Sequence, residues 1–252
     1  MIHLKSSEEI QNLSLSGAIL GSVLRELKKN VKTGTVLKSL DDLSRRLILK
    51  AGAKPAFLGY RPDGAKKPYP AAICASINEV IVHGLPTNYK LKDGDILKID
   101  LGVKYRGAYT DAAITIGIGK ISKTAKVLIK ATQEALNQAI KIAKPGHHLG
   151  DIGWIISKTA QKYNLEVVKG LTGHGVGSEL HEEPTIYNYG KRGEGPELKP
   201  GMVLAIEPMF AIGTDKIIQR FDESWATTDS SLSAHFEHTI AITSSKPQVL
   251  TK

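Results

Sequence analysis

The sequence predicts an α+β fold in which helices cover one face of a mainly antiparallel sheet. Three observations lead to this prediction. Apolar residues recur with helical spacing in two pairs of segments, β-branched runs with a period of two follow each pair, and the whole order occurs twice along the chain. Because the helices need only one face of the sheet, the opposite face is available for a site.

The first half opens with two predicted helices. Ser6 and Glu9 have the spacing of a capping box, which predicts a helix from this point to about Lys29. A second helix is indicated by apolar residues spaced three to four positions apart, namely Val36, Leu40, Leu43 and Leu47. The β-branched runs at residues 73–82 and 96–101 then predict strands.

The second half repeats this plan. One helical face is indicated by Leu128, Ala131, Ala135, Ala139 and Ile142. The dipeptide Pro145-Gly146 ends that helix, and a further helix carrying Ile152, Ile156 and Tyr163 follows it. Residues 240–242 then predict a strand.

Short stretches of sequence occur in both halves in the same order. LKDGDILKID, from residue 91, and LKPGMVLAIE, from residue 198, are identical at five of ten positions, and each ends on an acid. The pieces around Gly34 and Gly146 also correspond, as do AYTDAAITI from residue 108 and AHFEHTIAI from residue 234. These ordered matches predict one domain over residues 1–252, built from two pseudo-symmetric halves at about 1–120 and 121–252.

Composition is typical of an ordinary folded protein. The chain has 252 residues, of which 41% are hydrophobic and 23% are charged, so it can bury a core and disorder is disfavoured. No apolar run is long enough to span a bilayer, and the acids near the start do not fit a signal peptide. A single cysteine, Cys74, cannot form an internal disulfide, so we expect a cytoplasmic protein.

The net charge of +9 leaves two interpretations open. Clustered lysines and arginines favour nucleic-acid binding because they release counterions. Here the lysines are spread along the chain without the aromatic-plus-basic motif of a nucleic-acid module, which favours a solvated basic surface. A weak electrostatic association with an RNA-rich partner is the alternative.

Each repeated stretch brings a carboxylate to the end of a strand. Alternation along the first of these strands puts Asp100 on the face opposite Leu97 and Ile99. The AYTDAAITI and AHFEHTIAI pieces supply a further acid on the next strand of each half. An approximate two-fold axis would therefore gather four carboxylates, Asp100, Asp111, Glu207 and Glu237.

Four carboxylates at one place must take up protons or hold cations. Two like charges about 4 Å apart cost roughly 4 kcal/mol at an effective dielectric near 20, so two divalent ions are the simplest balance. A fifth ligand is then expected, preferably an imidazole, and the segment GHGVGSELHEEP, from residue 173, offers His174 and His181 as candidates. Structural histidines are the alternative for either ring, and the glycine pattern is also compatible with a phosphate loop, although no lysine supports that.

Six motifs together resemble the methionine aminopeptidases, namely SINEVIVHGLP, KIDLG, YTDAA, GHGVGSELHEEP, KPGMVLAIEPM and SLSAHFEHT. The resemblance covers nearly the whole chain. It implies the duplicated pita-bread fold, a mainly antiparallel curved sheet with two helix pairs on its outer face. It also implies a hydrolase that uses two divalent ions, among Mn, Fe(II), Co and Zn, to remove N-terminal methionine from nascent proteins and peptides, preferring a small second residue.

The resemblance also implies roles for individual residues. Its metal ligands would be Asp100, Asp111, His174, Glu207 and Glu237. Glu207 would also shuttle the proton, His181 would steady the developing intermediate, and His83 would contact the scissile amide. The methionine side chain would lie in a substrate pocket formed by His83, His181, Cys74, Tyr69, Tyr60 and Trp225.

Several positions depart from the family's pattern. RPDGAKKP, at residues 61–68, resembles an insertion, and Phe57, Leu171 and Leu180 replace residues of different size or character. These departures concern the shape of the methionine pocket and leave the metal ligands untouched.

Two rivals stand beside this interpretation. A prolidase or aminopeptidase P would share the chemistry but normally carries an extra N-terminal domain, for which this chain has no residues. A non-catalytic binding module would keep the fold without its ions. The expected partners are nascent polypeptide N-termini, with a weak electrostatic ribosome association as a further hypothesis, and we expect a monomer with no membrane contact.

Overall fold

A computed structural model of the chain describes residues 2–61 and 64–252. Its helices are α1 (Ser7–Asn30), α2 (Leu37–Lys50), α3 (Lys123–Ile142) and α4 (Leu149–Lys162). Its strands are β1 (Lys54–Pro55), β2 (Cys74–Ile77), β3 (Val80–Val82), β4 (Ile96–Tyr105), β5 (Ala108–Gly117), β6 (Glu166–Val167), β7 (Thr172–Gly175), β8 (Glu182–Tyr187), β9 (Val203–Ile206), β10 (Met209–Ala211), β11 (Ile217–Gln219), β12 (Trp225–Thr227), β13 (Ser233–His235), β14 (His238–Ile242) and β15 (Pro247–Val249).

The strands form two larger antiparallel sheets, one from each half of the chain. In the first, the long strand β4 pairs with β1 and β2 and also with β5. In the second, the order is β15-β14-β9-β7-β8. Two three-stranded sheets, β13-β10-β6 and β11-β12-β3, complete the arrangement, and their pairings are also antiparallel. The predicted α+β class with a mainly antiparallel sheet is confirmed.

The four helices begin and end close to the positions that the sequence predicts. The capping box before α1 is formed: the Glu9 amide donates to Ser6 Oγ at 3.3 Å, and the Ser6 amide donates to Glu9 Oε2 at 2.7 Å. Before α3, Ser122 Oγ accepts a hydrogen bond from the Ala125 amide at 3.1 Å. Each cap satisfies backbone donors that the first turn of a helix leaves without a partner.

In the first half, β4 separates the helices from the interior of the molecule. Leu97, Ile99 and Leu101 pack in one apolar cluster with residues of α1 and α2. Asp100 alternates with them and is buried on the opposite face. The face left free by the helices therefore carries the acid, as the sequence predicts.

The second half is built in the same way. Leu204 and Ile206 of β9 pack in the cluster formed by the apolar faces of α3 and α4. Val203 and Ala205 alternate with them and pack in a separate cluster. Glu207, one residue beyond β9, continues that second set and is also buried.

The β-branched run at residues 73–82 differs from the single strand that its composition suggests. The structure divides it into β2 and β3 around Asn78, whose φ angle is 51°. Asn78 Oδ1 accepts a hydrogen bond from the Ile96 amide at 2.9 Å, and the Asn78 amide donates to the Ile96 carbonyl at 2.9 Å. The turn is therefore fixed by tertiary contacts with the start of β4.

The helices of the described residues are amphipathic elements of the fold. None of them is both long enough and apolar enough to cross a membrane.

Candidate metal centre

Two carboxylates of the first sheet lie side by side on adjacent strands. Asp100 of β4 is opposite Ala113 of β5, and Asp111 of β5 is opposite Gly102 of β4. Both acids are buried, and the charge of Asp111 helps to raise the pKa of Asp100. This pair forms one side of the site.

The second sheet supplies an imidazole and two further acids. His174 of β7 is opposite Ala205 of β9, and its Nε2 atom lies 3.6 Å from Glu207 Oε1. The sequence suggested that Glu237 lies within a strand. In the structure, Glu237 lies between β13 and β14 instead. It is nevertheless held beside β5, because its amide donates to the Ala113 carbonyl at 2.9 Å.

Glycines on both sides of His174 let its strand fit between two others. A Cβ atom on Gly175 would collide with the carbonyl oxygen of Glu183 on β8. A Cβ atom on Gly173 would collide with the carbonyl oxygen of Ala205 on β9. The close approach of β7 to its neighbours therefore requires glycine at both positions, and it brings the imidazole next to the acids.

Burial and mutual repulsion control the protonation of these acids. Burial, with the charges of neighbouring carboxylates, raises the pKa values of Asp100, Glu207 and Glu237 well above their usual range. Burial also raises the pKa of Asp111 to about 7. In the part of the chain that the structure describes, no lysine or arginine pairs with any of the four. The four acids must therefore hold protons or a bound cation.

Several oxygen atoms of the cluster lack hydrogen-bond partners among the described residues. They are Asp100 Oδ1, Asp111 Oδ1 and Glu237 Oε1. Asp111, His174 and Glu237 each offer a ligand atom, and these atoms lie within 4.8 Å of one another. Since an unpaired buried carboxylate is costly, and hard oxygen donors with an imidazole suit Mn, Fe(II), Co or Zn, the residues fit a divalent metal.

All the site residues named by the sequence line one cavity of about 1060 Å³. They are Asp100, Asp111, His174, Glu207, Glu237, His83, His181, Cys74, Tyr69, Tyr60 and Trp225. The three replaced pocket positions, Phe57, Leu171 and Leu180, also line it. The structure therefore brings together residues from both halves of the chain.

Two histidines stand beside the cluster without belonging to it. His181 packs edge-on against His174, with ring centroids 4.4 Å apart, and burial lowers its pKa to about 3. His83 follows β3 with a φ angle of 60°, and burial lowers its pKa. Both rings are therefore neutral at physiological pH and can act as hydrogen-bond donors or acceptors.

The wall of the cavity beyond the acids is aromatic and apolar. Phe57, Cys74 and Leu180 are buried in one cluster, against which Tyr60 and Tyr69 pack. The Tyr69 hydroxyl oxygen lies 3.1 Å from the Ile73 carbonyl and 3.0 Å from the Gly84 carbonyl, so its one hydrogen can be donated to either, which fixes the ring. Trp225 contributes from β12, where it packs against the cluster that contains Val82 and Met209.

One residue near the site escaped the sequence reasoning. His235 is fully buried, with Nε2 lying 3.5 Å from Glu207 Oε2, and neither ring nitrogen has a hydrogen-bond partner among the described residues. It lies two positions before Glu237, so strand alternation could have indicated it. Lys98, two positions before Asp100, is buried, but its ammonium donates to the carbonyls of Asn78 and Ser233 and does not meet the acid.

Comparison with known proteins places this chain in a family. The pattern of metallopeptidase family M24 matches residues 11–244. Methionine aminopeptidase of Aquifex aeolicus is 45% identical over 100% of this chain and 99% of its own length. Methionine aminopeptidase 1 of Bacillus subtilis is 42% identical, with both chains fully covered.

A solved structure gives the same result. Crystalline methionine aminopeptidase from Thermotoga maritima superposes with a TM-score of 0.95 at 41% identity, covering 100% of both chains. The site and the fold define a metallopeptidase with the pita-bread architecture of family M24. Within that family, the chain belongs to the methionine aminopeptidases.

Proposed function

We propose that this chain removes methionine from the N-termini of nascent proteins and peptides, using two divalent ions and preferring a small second residue. The observation that carries the proposal is the convergence of four buried carboxylates and one imidazole in a single cavity, with carboxylate oxygens that lack partners. The names of its relatives support methionine as the residue removed.

Five side chains would hold the two ions, as the family resemblance implies. They are Asp100, Asp111, His174, Glu207 and Glu237. When bound, the ions would lower the pKa of a water molecule towards about 7 and stabilise negative charge on the substrate oxygen. Mn, Fe(II), Co and Zn all suit four carboxylates and one imidazole.

The remaining steps belong to the protein's own side chains. Glu207 accepts the proton of the attacking water and passes it to the leaving amine. The neutral ring of His181 donates a hydrogen bond to the carbonyl oxygen as charge develops there, and His83 contacts the scissile amide. The aromatic and apolar wall around Cys74 and Tyr69 holds the methionine side chain and excludes water.

The decisive experiment uses full-length protein that has been treated with a chelator. Activity on Met-Ala-Ser should be absent after chelation and should return when individual divalent ions are added, with two metal ions bound per chain. Met-Leu-Ser should be cleaved much more slowly if a small second residue is required. Cleavage of an Xaa-Pro peptide instead would favour a prolidase, and failure of every metal to restore activity would reject the proposal.

We propose further that the protein is a cytoplasmic monomer that can meet its substrates at the ribosome. All proposed ligands come from one chain, so one copy is sufficient for the site. The net charge of +9 favours attraction to an RNA-rich surface. Light scattering should give the mass of one chain, and co-sedimentation with ribosomes should weaken as salt is raised; no binding at low salt would reject the association.

A further inference from the structure

Tyr60 lies at the base of the loop that interrupts the family pattern. The Gly59 amide donates to the Tyr69 carbonyl, and the Tyr69 amide donates to the Tyr60 carbonyl, both at 2.8 Å. The Tyr60 amide donates in turn to the Phe57 carbonyl at 2.9 Å. Backbone hydrogen bonds thus close the loop at its base and hold the backbone of Tyr60 there.

The Tyr60 side chain reaches His181 from this fixed base. Its hydroxyl oxygen lies 2.7 Å from His181 Nδ1, and the two ring centroids are 5.3 Å apart. The imidazole also packs edge-on against His174. His181 is therefore held on one side by a proposed metal ligand and on another by a phenol.

This hydrogen bond has a chemical consequence for the imidazole. A neutral imidazole carries one hydrogen, on either Nδ1 or Nε2, and the partner of one nitrogen decides the role of the other. A phenol is a better donor than acceptor, since its oxygen lone pair is delocalised into the ring. If the Tyr60 hydroxyl donates to Nδ1, the hydrogen of His181 must be on Nε2.

We propose that Tyr60 is a positioning residue that holds His181 as the Nε2–H tautomer, ready to donate to the carbonyl oxygen of the scissile peptide. The inference rests on the function proposed above, in which His181 makes that hydrogen bond. It gives Tyr60 a task beyond lining the methionine pocket, because the hydroxyl group acts through His181 and not on the substrate.

The tautomer can be observed directly by nitrogen-15 NMR of the zinc-loaded, full-length protein. His181→Ala assigns the His181 signals by their loss. We expect Nε2 to carry the hydrogen in the wild type and in the control Tyr187→Phe, whose ring lies on β8 and is half exposed. Tyr60→Phe, which keeps the ring and removes only the hydroxyl, should give a mixture of both tautomers. An Nδ1–H form in the wild type, or no change in Tyr60→Phe, would overturn the proposal.

A double-mutant cycle tests whether the hydroxyl acts through His181. Tyr60→Phe should lower kcat on Met-Ala-Ser by about 10-fold, the upper range for one hydrogen bond, while KM changes by less than about 2-fold. In a His181→Ala background, the same substitution should have no further effect. If Tyr60→Phe still lowers kcat in the His181→Ala background, or if it changes KM alone, Tyr60 only lines the methionine pocket.

Failure of this inference is distinguishable from failure of the proposed function. If the wild type does not cleave Met-Ala-Ser with any metal, the function is rejected, and the NMR spectra still decide the tautomer. If the wild type is active but the cycle shows no coupling, only the role of Tyr60 is rejected.

Discussion

Asp111 lies where the two larger sheets meet, so its charge affects proposed metal ligands from both halves of the chain. We expect Asp111→Asn to lower activity on Met-Ala-Ser by at least about 100-fold, because loss of a direct ligand should cost no less than loss of an outer partner. Metal content, measured by elemental analysis, should fall, while circular dichroism should show an intact fold.

The matched control is Asp42→Asn, the same change at an exposed position on α2. It should leave both metal content and activity unchanged. Activity close to wild type in Asp111→Asn would be incompatible with the proposal that this carboxylate holds metal.

Glu237 connects the protonation of the site to stability. Its pKa is raised well above the usual value, so the metal-free folded state keeps a proton that the unfolded state loses above about pH 4.5. Stability of the metal-free protein therefore falls with rising pH through this contribution, by up to about 1.4 kcal/mol per pH unit. Glu237→Gln removes the titrating group, and its stability should decline less than that of the wild type between pH 5 and pH 7.

Thermal unfolding of both metal-free proteins at the two pH values measures this difference. Saturating zinc should abolish it in the wild type, because a bound cation keeps the carboxylate ionised in the folded state as well. A wild-type protein that declines no more than Glu237→Gln over this range would show that the acid is not kept protonated by its surroundings.

At the scale of elements, the capping box before α1 joins residues that are close in sequence, so its effect on stability should be local. Ser6→Ala removes the oxygen that accepts from the Glu9 amide, so we expect the free energy of unfolding to fall by about 1 kcal/mol. For a chain of this length, that corresponds to a decrease in Tm of roughly 2–4 °C. Ser244→Ala, in an exposed loop, is the control and should leave Tm unchanged.

Activity on Met-Ala-Ser below the unfolding transition should be the same in both variants, since the cap lies outside the cavity. An equal Tm in Ser6→Ala and wild type would show that the capping box does not contribute to stability.

The elements that could be predicted from sequence are those specified by neighbouring residues. The start of α1 followed from Ser6 and Glu9, which are three positions apart and contact each other in the structure. The division between β2 and β3 could not be predicted in this way, because the Asn78 turn depends on hydrogen bonds with Ile96. Local patterns specify where elements begin, whereas distant contacts decide where a strand is interrupted.

The same distinction applies to the candidate site. Its acids could be named because the repeat marks them twice, as with Asp100 and Glu207 at the last positions of the two matching sequence stretches. His235 and Lys98 have no such mark in the repeat, and only the structure shows that His235 lies 3.5 Å from Glu207 and that Lys98 does not meet Asp100. The bond between Tyr60 and His181 joins residues far apart in the chain and could not be read from either motif.

At the scale of the whole molecule, we propose that the chain is organised as two related halves, about residues 1–120 and 121–252. Where the halves meet, Asp111 hydrogen-bonds with Thr239, and Ala113 hydrogen-bonds with Glu237. In the repeat, Asp111 corresponds to Glu237 and Ala113 to Thr239. A rotation that exchanges the two halves would therefore place the Asp111–Thr239 pair where the Glu237–Ala113 pair lies, as a local two-fold axis requires.

This junction should link the stability of the fold to metal affinity, and Thr239→Val tests that link. Thr239 Oγ1 accepts from the Asp111 amide at 2.9 Å and donates to the Asp111 carbonyl at 2.8 Å. Valine has nearly the same shape but leaves both buried backbone groups without a partner, which should cost about 1–3 kcal/mol for each. Urea unfolding of the metal-free protein should show this loss.

Because the backbone that carries Asp111 is released by the substitution, zinc affinity should also fall, by roughly 10- to 100-fold in calorimetric titrations. Thr228→Val, at an exposed position after β12, should alter neither stability nor affinity. A Thr239→Val protein that loses stability but binds zinc as the wild type does would show that the junction holds the two halves together without positioning the ligand. Loss of both, with unchanged helix content, is the result that a site built across two halves requires.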